Sequence, residues 1–105
     1  MKIDVGGKEY SLGYPTRKDA VNAELYGLDV TNAGRILSTI DTLFYTGLIA
    51  KQPTITKEEA TNLQDQYTKE GGDIEEVAQF LLSEYMAFTK SPEVEKKKKA
   101  KIVEM

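Results

Sequence analysis

The stretch from Val30 to Ala50, VTNAGRILSTIDTLFYTGLIA, constrains the fold more than any other part of the chain. At 3.6 residues per turn, Ala33, Ile36, Leu37, Ile40, Leu43, Phe44, Gly47 and Leu48 fall on one continuous side, with Val30 at its edge. Arg35, Ser38, Thr39, Asp41, Thr42 and Thr46 fall on the other side. A helix of this length, about 30 Å at the usual rise, can cross a small domain from end to end. Its apolar side has to be covered by other elements, so the pattern predicts a central helix.

The segments on either side supply candidates for that cover. Residues 2–12, KIDVGGKEYSL, alternate Ile3, Val5, Tyr10 and Leu12 with polar residues around Gly6-Gly7, which predicts a β-hairpin with a two-residue turn. A lone hairpin is marginal in water, so it should lie on the helices. Pro15 to Tyr26 reads as a first helix, with Thr16 as its cap, Asp19 in the first turn and Gly27 just past its end. Val21, Leu25 and Leu28 give it a thin apolar stripe.

Pro53 breaks the pattern after the central helix. Thr56-Lys57-Glu58-Glu59 is a capping box opening a surface helix whose apolar side holds Ala60, Leu63 and Tyr67. Gly71-Gly72 ends it, and Asp73-Ile74-Glu75-Glu76 offers a second capping signal. From Ile74 to Thr89, the side chains of Ile74, Val77, Ala78, Leu81, Leu82, Tyr85 and Phe88 share a face, with Met86 at its margin. This last helix is the natural partner of the central one. The fold class is therefore mainly α: a small bundle of about four helices with an N-terminal two-stranded hairpin. One helical domain is expected over residues 1–91, followed by a charged flexible tail over 92–105.

Composition narrows the chemistry. The chain has neither cysteine nor histidine, which removes disulfides, thiolate and imidazole metal ligands, and the commonest general base. The paired acids Glu58-Glu59 and Glu75-Glu76 sit in first turns, where the helix dipole favours negative charge. They need no catalytic explanation, and no calcium-loop spacing accompanies them. The GGK of the hairpin lacks the rest of a phosphate-loop pattern. No enzymatic activity, metal or cofactor is expected. Met1 leads directly into strand-like sequence without a basic and then apolar leader, and Asp41 interrupts the most apolar region, so neither secretion nor a membrane span is expected.

Charge is unevenly placed. Residues 1–90 hold 9 basic and 14 acidic side chains, a balance of −5, while residues 91–105 hold 5 Lys and 3 Glu, a balance of +2. An acidic folded part is unfavourable for nucleic-acid binding. The run Lys96–Lys99 with Lys101 keeps one alternative open, a small regulatory or nucleic-acid-binding protein acting through its tail. Tyr45 and Ile49, and on the last helix Phe80 with Ala87 nearby, lie off the core bands. Such residues are either covered by a neighbouring element or offered to a partner.

In order and pattern these segments resemble the tail assembly chaperones of long-tailed, non-contractile bacteriophages of Gram-positive bacteria. The opening IDVGGKEYSL is similar to that family's I-x-[IV]-x-G-K-x-Y-x-L segment. PTITKEEATNLQDQYTKEGGDIEEVAQFLLSEYMAFTKS is similar to its second half, a P-x-I-[ST]-[KR]-E-E helix start followed by D-I-E-E-[LV]. GYPTRKDAVNAELYG departs from the more apolar segment expected after the hairpin.

The resemblance implies a non-enzymatic role in virion morphogenesis in the host bacterial cytoplasm, with the protein absent from the mature virion. It implies binding to the tape measure protein and assistance to tail tube protein assembly, with no nucleic acid or membrane partner. It leaves the oligomeric state open, a homo-oligomer included. Grooves between helices would meet a helical client, which makes Tyr45, Ile49, Phe80 and Met86 the contact candidates. It also implies that Lys96–Lys99 could be encoded by slippery codons of a frameshift site.

Overall fold

The structure, a computed structural model, describes residues 1–31 and 34–89. The described chain opens with strands β1 (Lys2–Val5) and β2 (Lys8–Ser11), and four helices follow. These are α1 (Arg17–Leu25), α2 (Ile36–Ile49), α3 (Lys57–Lys69) and α4 (Ile74–Ala87). The mainly α bundle with an N-terminal hairpin is thus the observed architecture. The expected 92–105 tail, with its Lys96–Lys99 run and Lys101, lies outside the described residues, as does Ala33.

The hairpin is set by its turn. Val5 pairs with Lys8 across Gly6-Gly7, whose φ angles of 62° and 85° are those of a type I′ turn. Positive φ at both central positions is costly for residues with a Cβ, and two glycines avoid that cost. Ile3 and Val5 are buried and Tyr10 is half-buried, so one face of the ribbon lies on the bundle. Glu70 of α3's end accepts a hydrogen bond from the Gly6 N–H at 3.0 Å and fixes the turn against that helix.

Helix ends follow local chemistry. At α1 the Thr16 side chain accepts from the Asp19 N–H while Asp19 reaches back to the Thr16 N–H, and α3 has the same reciprocal box between Thr56 and Glu59. Asp73 caps α4 by accepting from the N–H groups of Glu75 and Glu76. Both α1 and α3 end in Schellman motifs. Gly27 and Leu28 donate to Glu24 and Ala23, and Gly71 and Gly72 donate to Thr68 and Tyr67. Thr56→Ala should cost about 1 kcal/mol, the usual value of a threonine cap. Urea denaturation checks it, and an unchanged midpoint would remove the box from the stabilising interactions.

The core gathers around the second half of α2, where Leu43, Phe44 and Leu48 are buried with Val77, Leu81 and Tyr85 of α4. A Cβ on Gly47 would stand 2.7 Å from Leu81 Cδ2, so the missing side chain is what lets α4 come this close to α2. Leu12 and Tyr14, from the segment leaving the hairpin, complete the centre. Gly13 N–H donates to the Gly47 carbonyl at 3.2 Å and Tyr14 N–H donates to Glu84 Oε1 at 2.8 Å, which threads this segment between α2 and α4.

Three expectations need correction. The central helix begins at Ile36, with Arg35 as its cap and no side-chain hydrogen bond there, instead of at Val30. Its apolar side is covered only in part: Leu43, Phe44, Gly47 and Leu48 are buried, but Ile36 is 65% and Leu37 79% exposed. Thr46, on the polar side by periodicity, is only 2% exposed because the Tyr14 hydroxyl meets its Oγ1 at 2.7 Å.

The first helix also turns a different face inward. Val21 and Leu25 are exposed, while Ala20 and Ala23 are buried. Its rotation is set by polar ties to α4. Arg17 Nη1 donates to the Phe88 carbonyl at 3.2 Å, and the Tyr85 hydroxyl donates to Glu24. Residues 17, 20 and 24 share one side of a helix, so the alanines between those ties face inward. Of the expected stripe only Leu28 is buried, carried inward by the Schellman turn.

Candidate protein-interaction surface

The stretch from the end of α1 to the start of α2 keeps large apolar side chains in solvent. α1 finishes with Leu25, which is 79% exposed, and Tyr26, its exposed C-cap. The connection continues through exposed Val30, and α2 starts with exposed Ile36 and Leu37. The exposed positions flank the α1–α2 corner of the chain, where Val30 and Ile36 line one groove and Tyr26 lies against Tyr45 further along α2. Burial of each such side chain would stabilise a complex by about 1.5–3 kcal/mol. Isolated exposed leucines are ordinary, whereas apolar residues gathered along one groove point to a contact surface.

A groove of about 210 Å³ runs beside this corner. Val30, Ile36, Ile40 and Leu43 line one side, and Ala78, Gln79 and Leu82 of α4 line the other. Asp29 also lines it. The Thr31 N–H and hydroxyl both donate to Asp29 Oδ1, at 3.0 and 2.6 Å, and these bonds hold the Asp29 carboxyl below the usual carboxylate range. The groove is therefore mostly apolar, with one carboxylate in its lining.

None of the four residues singled out from the sequence lines this groove, and all are half-buried. Tyr45 is met edge-on by the ring of Tyr26, with centroids 5.3 Å apart, so α1's end shields much of it. Burial and the neighbouring Tyr26 phenol push the Tyr45 hydroxyl's pKa upward. Ile49 sits one turn further along α2. Phe80 and Met86 both pack against the core cluster. Six positions separate them, about 120° round the helix, so they do not form one patch. The exposed set of Leu25, Ile36 and Leu37 was missed because periodicity assigned these residues to core stripes.

A second cleft, about 520 Å³, opens between α1 and α4 beside the Tyr85–Glu24 bond, with Arg17 and Phe88 at its edge. The Glu24 carboxylate, followed by burial, pushes the Tyr85 hydroxyl's pKa up to about 12, which keeps it a donor. Arg17 and Tyr85 spend their polar groups joining the two helices, which gives this cleft a structural explanation.

Among the described residues, no helix is long and apolar enough to cross a membrane, and no group of three or more Asp or Glu side chains is placed to hold a metal ion. Comparison with family models, with curated proteins and with solved structures finds no match, so the surface is defined by its own geometry alone.

Proposed function

We propose that this protein is a non-enzymatic binding module that covers an apolar stripe of another polypeptide, in the manner of a phage tail assembly chaperone. The observation that carries the reading is the apolar groove lined by exposed Val30 and Ile36, with exposed Leu25, Tyr26 and Leu37 flanking it along the chain. A helical client presenting apolar residues at i, i+3, i+4 and i+7 fits such a surface. The client under this reading is the tape measure protein, kept soluble in the host cytoplasm while tail tube protein assembles around it. The chaperone then stays out of the finished particle. The acidic balance of the first 90 residues favours a protein client over nucleic acid.

Co-expression with the tape measure protein of the same phage tests the proposal. The wild-type chain should co-purify with the client and raise its soluble yield. The double variant Leu25→Glu, Leu37→Glu should keep its thermal midpoint, because both positions already face solvent. It should bind the client at least about tenfold more weakly, since each buried leucine contributes on the order of 1.5–3 kcal/mol. Undiminished binding by the double variant would move the client site away from this corner. Absence of any complex with the wild-type chain would sink the chaperone reading.

A further inference from the structure

The outer edge of β2 carries a different kind of surface. Met1 and Leu12 exchange both backbone bonds, Leu12 N–H to Met1 O at 2.8 Å and Met1 N to Leu12 O at 3.1 Å. In an antiparallel ladder such pairs alternate with pairs whose N–H and C=O groups point away from the partner strand. With Lys2 opposite Ser11 and Asp4 opposite Glu9, the outward-pointing residues of β2 are Ser11 and Glu9. Ser11 is already matched by a side chain. Its N–H donates to Gln52 Oε1 at 2.8 Å, and its carbonyl accepts from Gln52 Nε2 at 2.9 Å. The same Nε2 donates to the Leu48 carbonyl at 2.7 Å, which ties the carboxamide to the end of α2.

Gln52 thus occupies the place that the peptide group of a third strand would take. The next position along the edge, Glu9, is exposed and opens into a groove of about 420 Å³ between β2 and α3. Tyr10, Ile55 and Leu63 provide apolar wall there, and Glu59 provides a carboxylate.

We infer that the β2 edge is a docking site for an extended peptide strand, which adds to the ladder at Glu9 beside the rung that Gln52 fills. Backbone hydrogen bonds carry this mode of recognition, and alternate side chains reach the groove. The occupant's residue opposite Glu9 is basic, because unlike charges in cross-strand pairs stabilise and like charges destabilise. The same rule disfavours a second copy, which would set Glu9 against Glu9 at the one open rung. This surface is separate from the Leu25–Leu37 corner and does not depend on the proposed client.

Titration of the isotopically labelled full-length chain with the capped pentapeptide acetyl-Thr-Val-Lys-Val-Thr-amide tests the inference by amide chemical shifts. Glu9, Tyr10, Ser11 and the Gln52 side chain should move most, with a dissociation constant on the order of 1 mM or tighter. Methylating the lysine backbone nitrogen should weaken binding by at least about fivefold, through loss of one ladder bond. Gln52→Ala should free the Ser11 rung and tighten binding by about fivefold in a variant that still folds. The methylation comparison uses the wild-type chain and stands whether or not that variant folds.

Equal binding of the methylated peptide, shifts elsewhere, or no shift at peptide concentrations of about 10 mM would overturn the site. Edge shifts produced by raising protein concentration alone would assign the edge to a second copy and overturn the peptide as occupant. The Leu25→Glu, Leu37→Glu variant should bind the pentapeptide as the wild type does, so failure of one surface is distinguishable from failure of the other.

Discussion

Phe44→Ala should lower the folding stability by about 3–5 kcal/mol, the usual range for removing a buried phenylalanine ring. Phe44 is 1% exposed in the core cluster that joins α2 to α4, where Leu48 and Leu81 are also fully enclosed. A domain of this size commonly has about 5–15 kcal/mol in total, so the loss is a large share. The thermal midpoint should fall by roughly 12–40 °C, at about 4–8 °C per kcal/mol. Leu37→Ala is the informative control, because helical periodicity puts Leu37 on the same stripe while the structure leaves it 79% exposed. Its effect should stay within about 0.5 kcal/mol. Thermal melts followed by circular dichroism decide the matter, and comparable losses in the two variants would mean that Leu37 is covered in solution.

Alkali should destabilise the fold through Tyr14. Burial pushes the Tyr14 hydroxyl's pKa up to about 12, with a smaller upward push from the Glu84 carboxylate, against the lowering effect of its hydrogen bond with Thr46. An unfolded tyrosine loses its proton near pH 10. Between about pH 10 and 12 the folded state therefore holds a proton that the unfolded state has released, and stability falls as pH rises. The stabilisation is fully present below pH 10, and its loss across this window amounts to about 2–3 kcal/mol, at 1.36 kcal/mol per pH unit. Tyr85 adds a contribution of the same sign, since its hydroxyl is also raised to about 12.

Tyr14→Phe isolates the Tyr14 contribution. It should cost about 1 kcal/mol at neutral pH, because the Thr46 hydroxyl keeps its 2.6 Å bond to the Thr42 carbonyl when the phenol is gone. Between pH 10 and 12 its stability should then decline less steeply than the wild type's. Urea denaturation at a series of pH values gives both slopes. Parallel slopes for the two proteins would show that Tyr14 does not govern the alkaline limb.

What could be read from the chain in advance was short-range. The Gly6-Gly7 turn, the cap at Thr16, the box at Thr56, the cap at Asp73 and the stop at Gly71-Gly72 are each decided within about five residues by backbone dihedrals and side-chain hydrogen bonds. The inward side of α4 was legible for the same reason. Its stripe is continuous, and Val77, Leu81 and Tyr85 lie buried along it.

Periodicity also gave the direction of α2's stripe, but how far along its length the stripe is covered was settled by the bundle. The hairpin exit, α3 and α4 converge on the second half of α2, and its first turn is left to solvent. The candidate contact surface follows from that termination, which is why a helical wheel counted Ile36 and Leu37 as core. Thr46 became buried only because Tyr14, 32 residues away, brought it a hydroxyl partner. Gln52 closed one rung of the β2 edge from 41 residues away. Local sequence determined where elements start and stop, since those energies are local. Tertiary structure decided which apolar groups stay in water, since burial at any position depends on the length and placement of elements distant in the chain.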